Sequence, residues 1–375
     1  MFTRFNPRRY NFLLLITVII AIGIGCVMVN SADSSYTQRQ IIGAAASIII
    51  MIFVSFIDYG FICRFYVPLY IINLVLLTLV LFMGVNVNNA TRWLVIGGDN
   101  GVQFQPSELS KLIVIICAAT FLDKYKQRNR INTFKCLALF AILSALTLFL
   151  ISQEPDLSTT ICHTFILLTI LYVSGLSYKI IGIALLAFVP LAGSFLWYIQ
   201  QPGDKILIKQ YQINRILPFI YPSKYGDDSS QQNNSIMAIG SGQLTGKGLN
   251  TSTIATVKDT NFISEQQTDF IFSVIGEELG FVGSVIIIAI LLLIVLQCIR
   301  VARRAKDTKG MLIATGLGVQ IGFQSFINIG VASGVLPNTG IPLPFISYGL
   351  SSLFSVAIGM GMVLNISQQE YRLMD

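Results

Sequence analysis

Long apolar runs alternate with short polar joints along most of the chain. Roughly 17 to 25 apolar residues suffice to cross about 30 Å of hydrocarbon as helix. Such runs fall near 11–29, 41–57, 67–83, 107–122, 136–152, 158–175, 180–199, 269–299, 312–335 and 346–366. The pattern predicts an all-α integral membrane protein of about ten transmembrane helices, read as a single membrane domain over 1–375. One stretch, 200–268, interrupts the rhythm and is polar, rich in Gly, Asn, Ser and Gln. It is expected to be a large extracytoplasmic loop between the seventh and eighth helices, and loops of that length are usually functional. Within it, the piece from Ile206 to Ile220 has the composition of a short amphipathic helix on the membrane surface.

Composition sharpens this picture. The chain has 375 residues, 54% of them hydrophobic and 11% charged, with a mean hydropathy of +0.72, which excludes an ordinary water-soluble protein. The first run follows Arg4, Arg8 and Arg9 but is longer than a signal-peptide core, so it is expected to remain as a helix. With the amino terminus cytoplasmic, the inner joints collect Arg64, Lys124, Lys126, Arg128, Arg130, Lys135, Arg300, Arg303, Arg304, Lys306 and Lys309. The short outer joints hold only Arg39 and Arg92, so both termini are expected inside. This bias accounts for the net charge of +7, which is therefore no sign of nucleic acid binding. The six cysteines lie in or beside predicted spans and indicate no disulfide framework.

Charged side chains in or beside spans are the candidate chemistry, because they are expensive in a bilayer. In ATRWLVIGGDNGVQFQPSELSKL, Pro106 suits a first helical turn, and Glu108 and Lys111 are three apart on one face. Their pairing either orients the helix or forms part of a site, and Arg92 is an interfacial anchor or an anion ligand. In SQEPDLSTT, Glu154 and Asp156 share a tight turn, where Asp156 is placed to cap the next helix. Thr268 and Asp269 stand at the start of the eighth helix, where capping and the helix dipole would favour a carboxylate. Glu277 and Glu278 lie about two turns deeper, beyond any capping role, and need a donor, a cation, a proton or a wet cavity. His163, the only histidine, is expected to be packed and hydrogen-bonded, not a metal ligand. The segment AIGSGQLTGKGL fails the phosphate-loop pattern at Ser241 and Gly248 and reads as a turn with close backbone approach. Three prolines in NIGVASGVLPNTGIPLPFISYGLSS demand irregular backbone that is buried in protein or lines an outward-opening cavity.

In order along the chain, TRWL, FQPSELSK, QEPDLST, AIGSGQLTGKGL, QTDFIFSVIGEELGF and PNTGIPLPFISYGLSS together resemble the SEDS family of bacterial morphogenesis proteins, RodA, FtsW and SpoVE. The resemblance implies a ten-span fold and a peptidoglycan glycosyltransferase that polymerises lipid II on the outer face of the cytoplasmic membrane. A class B penicillin-binding protein would supply the transpeptidase step. By position, the family's catalytic aspartate is Asp269, and its other sensitive positions match Arg92, Glu108, Lys111 and Asp156, to which Ser347 is added as a substrate-binding candidate. Two departures stand out: Leu350 where Gly is usual, and Gln267 where His is common. In this reading Asp269 is the general base, Arg92 and Lys111 meet diphosphate or sugar, and Glu108 holds Lys111. Asp156 orients the cluster, or with Asp269 binds Mg2+ or Mn2+. No organic cofactor is expected. The alternatives are a lipid II flippase or transporter, and an inactive scaffold for a penicillin-binding protein.

Overall fold

The computed structural model describes residues 6–87, 90–96, 102–154, 156–200, 230–250 and 265–369. The predicted amphipathic helix at 206–220 lies outside these residues. Ten long helices occupy the expected places: α1 (Phe12–Ala32), α2 (Thr37–Ser55), α4 (Tyr66–Met83), α5 (Pro106–Lys126), α6 (Phe134–Gln153), α7 (Leu157–Val173), α8 (Tyr178–Gln200), α10 (Ile271–Arg304), α11 (Thr308–Ala332) and α12 (Leu350–Gln368). Two shorter α-helices, α3 (Tyr59–Arg64) and α9 (Ser230–Ser241), also lie among the described residues. Among the described residues, seven helices are both long and apolar enough to cross a membrane. α7 is a shorter apolar helix of 17 residues, and α5 carries charges in both its first and last turns.

The helix starts follow local chemistry. Asn11, Thr133, Asp156 and Asp307 each accept a hydrogen bond from a main-chain N–H in the first turn of α1, α6, α7 and α11, satisfying donors that have no partner within the helix. Pro106 opens α5, where a missing N–H costs nothing.

An element that apolar periodicity did not predict joins α4 to α5. It is an antiparallel sheet of β1 (Val85–Val87), β2 (Ala90–Ile96) and β3 (Val102–Phe104), with Asn86 opposite Thr91 and Leu94 opposite Phe104. β2 carries the TRWL motif, so Arg92 sits on a strand.

α5 is the central helix, almost continuously buried from Pro106 to Ala119 and packed against α4, α7, α11 and α12. Its neighbours sort the molecule into two ends. At one end, Asn11 reaches Gln297 at 3.1 Å, Tyr59 donates to Asp307 at 2.9 Å, and Asn365 donates to the Ser55 carbonyl at 2.9 Å. The basic joints after α5 and α10 belong to this end. At the other, Gln266 donates to the carbonyl of Ala32 at 3.0 Å, tying the approach to α10 to the end of α1. Every candidate site residue lies at this second end.

Leu350, the departure from the family pattern, is accommodated by packing. Its side chain fills the space over Gly43 of α2, where an added Cβ would stand 2.3 Å from the leucine Cδ2.

Candidate functional site

Three groups of side chains form the site. The first centres on Asp156, whose role as a helix cap is realised: Oδ1 accepts the Thr159 N–H at 3.0 Å. Its other oxygen faces Arg92, at 3.7 Å, and the Gln105 amide, at 3.5 Å. Arg92 also donates through Nε to the Glu154 carbonyl at 3.3 Å. Asp156 is thus the meeting point of a strand, a helix start and the joint before α5. Both its oxygens are engaged, and among the described residues no three His, Cys, Asp or Glu side chains are grouped to hold a metal ion. Asp156 therefore fits a cap and ion pair better than a cation ligand.

Glu154 stands beside this group, outside both α6 and α7. Its carboxyl is fully buried, and neither oxygen has a hydrogen-bond partner among the described residues. Burial, and then the Asp156 charge, push it up to about 8, with Arg92 opposing.

The second group is the Glu108–Lys111 pair at 2.7 Å, which is almost wholly buried. Burying two charges usually costs as much as their attraction returns, so this pair is weak evidence for stability and stronger evidence for a fixed position. His163 packs alongside as expected, Nδ1 against the Thr159 carbonyl at 2.8 Å and Nε2 against Ser110 at 3.3 Å. It pins α7 to α5.

The third group is the turn 265–270 that carries Asp269. The helix that follows has Phe270 at its cap with no side-chain hydrogen bond, so Asp269 is not the cap that its position in sequence would allow. It is instead half-buried, on a turn held by backbone contacts. Asn328 donates to the Asp269 carbonyl at 2.8 Å and to the Ile341 carbonyl at 2.7 Å. Ser347 donates to the Thr268 carbonyl at 2.7 Å and accepts the Leu343 N–H at 2.8 Å, and Tyr348 N–H reaches the Gln267 carbonyl at 2.9 Å. Ser347 is buried and bonded to main chain on both sides, and it holds the turn. Gln267 joins the clamp through its carbonyl, while its side chain turns toward Glu265 at 3.3 Å.

A serine spacing joins the groups. Ser347 touches the Asp269 turn, Ser351 accepts the Gln105 N–H at 3.0 Å, and Ser355 donates to the Glu108 carbonyl at 2.8 Å. Ser351 and Ser355, with Asn328 and Gln105, were missed from sequence. The signal was present in SYGLSSLFS, where Ser351 and Ser355 stand four apart and share a face of α12. The proline-rich segment before α12 is buried from Leu343 to Ser347, as irregular backbone at this depth requires.

Glu277 and Glu278 turn out to be structural. α10 breaks at Gly280, whose φ of 65° and ψ of −161° leave the helix. The break frees two carbonyls and two N–H groups, and the AIGSGQLTGKGL loop satisfies all four. Lys247 N–H reaches the Glu277 carbonyl at 2.9 Å and Gly248 N–H the Glu278 carbonyl at 3.0 Å. Phe281 and Val282 N–H reach the Gln243 and Leu244 carbonyls at 2.9 and 3.1 Å. The approach is so close that a Cβ on Gly246 would lie 2.1 Å from the Glu278 carbonyl oxygen, and Gly246 itself has a φ of 81°. Side chains lock the same contact: Lys247 pairs with Glu277 at 2.7 Å, and Glu278 accepts from the Ser31 hydroxyl and from the Asn250 N–H at 3.3 Å.

Comparison with known proteins follows the same lines. The family model described as "Cell cycle protein", FtsW/RodA/SpoVE, matches residues 10–372. The chain is 34% identical over 374 residues to a protein of Nitrosomonas europaea named "Probable peptidoglycan glycosyltransferase FtsW", covering 94% of this chain and 92% of that one. It is 32% identical over 358 residues to "Peptidoglycan glycosyltransferase MrdB" of Escherichia coli, covering 94% and 91%. Among solved structures, a chain from "Structural coordination of polymerization and crosslinking by a peptidoglycan synthase complex" superposes with a TM-score of 0.80 at 28% identity, covering 97% and 99%. The rod shape determining protein RodA of Thermus thermophilus gives 0.70 at 27% identity, covering 97% and 98%.

Proposed function

Because this chain belongs to the cell cycle protein family of FtsW, RodA and SpoVE, we propose that it is a peptidoglycan glycosyltransferase polymerising lipid II into β-1,4 glycan. The observation that carries the reading is the clamped turn. The turn that carries the half-buried Asp269 carboxylate at the end of a membrane helix is held through its main-chain carbonyls by Ser347, Tyr348 and Asn328. Such fixing is what a general base needs, since its geometry must be set before the proton moves.

In the proposed reaction the 4-hydroxyl of the acceptor GlcNAc attacks the anomeric carbon of the donor MurNAc with inversion. Asp269 takes the hydroxyl proton as the new C–O bond forms. The bond from the anomeric carbon to the diphosphate oxygen breaks, and the polyprenyl diphosphate leaves as an anion. Arg92 retains some exposure at 17% and is the cation placed to meet that charge, its fork suiting phosphate oxygens. Lys111 is buried and paired with Glu108, so the two contribute a fixed dipole and no net charge. Asp156 orients Arg92. A divalent cation used by the reaction would arrive with the diphosphate and meet Asp269, and no step above is routed through one.

The chain is a multi-pass membrane protein. Segregation of Lys and Arg to the end opposite the site supports cytoplasmic termini and an outward-facing site in a bacterial inner membrane. A class B penicillin-binding protein is the proposed partner that cross-links the product. The test is polymerisation of lipid II by purified chain, alone and with that partner, with and without chelator. Glycan strands should form with wild type, and Asp269→Asn should lose about 10²–10⁴-fold of the rate with an unchanged melting temperature. Movement of lipid II across liposomes without polymerisation would support a flippase instead, and no activity under any condition would leave a scaffold.

A further inference from the structure

At the basic end, the connection from α5 to α6 encloses a cleft of about 200 Å³ lined by Tyr125, Arg128, Arg130, Thr133 and Lys135. A tight turn builds it. The N–H groups of Arg128 and Arg130 both donate to the Tyr125 carbonyl, at 3.2 and 2.9 Å, with Asn129 between them at a φ of 52°. Asn is among the few residues that adopt this left-handed conformation readily. Thr133 closes the turn, its hydroxyl donating to the Arg130 carbonyl at 2.7 Å while it caps α6. Main-chain bonds thus fix where the three cations emerge.

No acidic side chain lines the cleft, and none of Arg128, Arg130 and Lys135 makes an ion pair or side-chain hydrogen bond among the described residues. Three like charges facing one space raise a potential that favours an anion. The inward bias of basic residues explains their presence in this joint but not their convergence on a cleft. The lipid-facing apolar side of α6 begins beside the cleft, so the anion nearest to it in a membrane is a lipid headgroup. Phe134, 88% exposed, is followed along the same side of α6 by Leu139, Ile142, Leu146 and Phe149, all exposed. A free anion would use the cleft and ignore the track, whereas an amphiphile uses both.

We infer that the cleft binds the headgroup phosphate of an anionic phospholipid whose acyl chains lie along α6. Basic pockets between membrane helices recognise lipids in this way. The inference is independent of the glycosyltransferase reading, since it concerns the other end of the molecule and its test measures no turnover.

The test is native mass spectrometry of the purified full chain with phosphatidylglycerol or phosphatidylcholine added at equal concentration. Wild type should retain phosphatidylglycerol in preference, and Arg128→Ala/Arg130→Ala/Lys135→Ala should weaken that retention by roughly tenfold or more. Arg128→Lys/Arg130→Lys should keep most of it. Equal retention of the two lipids, an unaltered preference in the alanine variant, or complete displacement of phosphatidylglycerol by millimolar inorganic phosphate would each overturn the proposal. On unmodified protein the preference should also fade with rising salt, as an electrostatic contact does. A preference indifferent to 1 M salt, on the order of a 3 Å screening length, would count equally against it.

Discussion

At the basic end, Tyr59, Asp307, Asn365 and Ser55 meet through short hydrogen bonds that tie α2, α3, α11 and α12 together. At the opposite end, Glu108, Asp156, Glu277 and Glu278 are carried inside the bundle, each against a donor supplied by a helix, strand or loop. The two ends teach different uses of polar groups. One fastens helices with mostly neutral groups, Tyr59, Asn365 and Ser55, that are buried and mutually bonded. The other holds charge where bilayer and protein both exclude water, against the side chains of Lys111, Arg92, Lys247 and Ser31 and the N–H groups of Thr159 and Asn250. The broken α10 is the clearest case, since its gap is filled by main chain and not by solvent.

The sharpest way to break this contrast is to leave one buried charge without its partner. Lys247→Ala removes the cation paired with buried Glu277 and should cost about 3–5 kcal/mol in thermal or denaturant unfolding. Replacing both members with apolar residues of similar volume should recover most of that loss.

Glu154 offers a second test, through pH. Its folded value, up to about 8, exceeds its ordinary value of 4.5 because burial and Asp156 disfavour the ion. The raised value means that the folded protein keeps a proton that the unfolded chain gives up. The resulting stabilisation is fully present below about 4.5 and is lost as pH rises through about 8. On the order of 5 kcal/mol is at stake. Glu154→Gln, which mimics the protonated acid, should flatten this part of the pH–stability profile and be more stable than wild type near pH 9, as melting temperatures across the range would show.

Ser347→Ala removes a donor to the Asp269 turn and should cost about 1–2 kcal/mol. If the clamp positions the base, turnover should fall while the KM for lipid II stays near wild type, and a change confined to KM would support direct substrate contact by Ser347. The smallest effect belongs to the basic end. Tyr59→Phe, losing the bond to Asp307, should lower stability by about 1 kcal/mol and leave polymerisation untouched.

Much of this architecture was legible in the chain. Asp156 was recognisable as a cap because capping needs only its own helix, and His163 as a packed residue because the chain has no second histidine. The β-sheet that carries Arg92 was missed because its strands are short, with no long periodic run to announce them. The motif singled out Ser347 but not its contacts with the Asp269 turn. The two carboxylates of the GEELG motif could be seen to need partners, yet nothing near them in sequence supplied any.

Spans, caps and charge bias are sums over neighbouring residues: whether a segment enters the bilayer depends on its own apolar length, so the chain by itself determined where the helices lie and which joints are basic. The pairing of a buried charge depends on which distant segment arrives beside it. Only the tertiary structure set Lys247 against Glu277, Ser31 against Glu278, Leu350 over Gly43 and Ser347 beneath the Asp269 turn. A carboxylate buried in the bundle takes its donors from protein, and for Glu277 and Glu278 those donors come from segments far away in the chain.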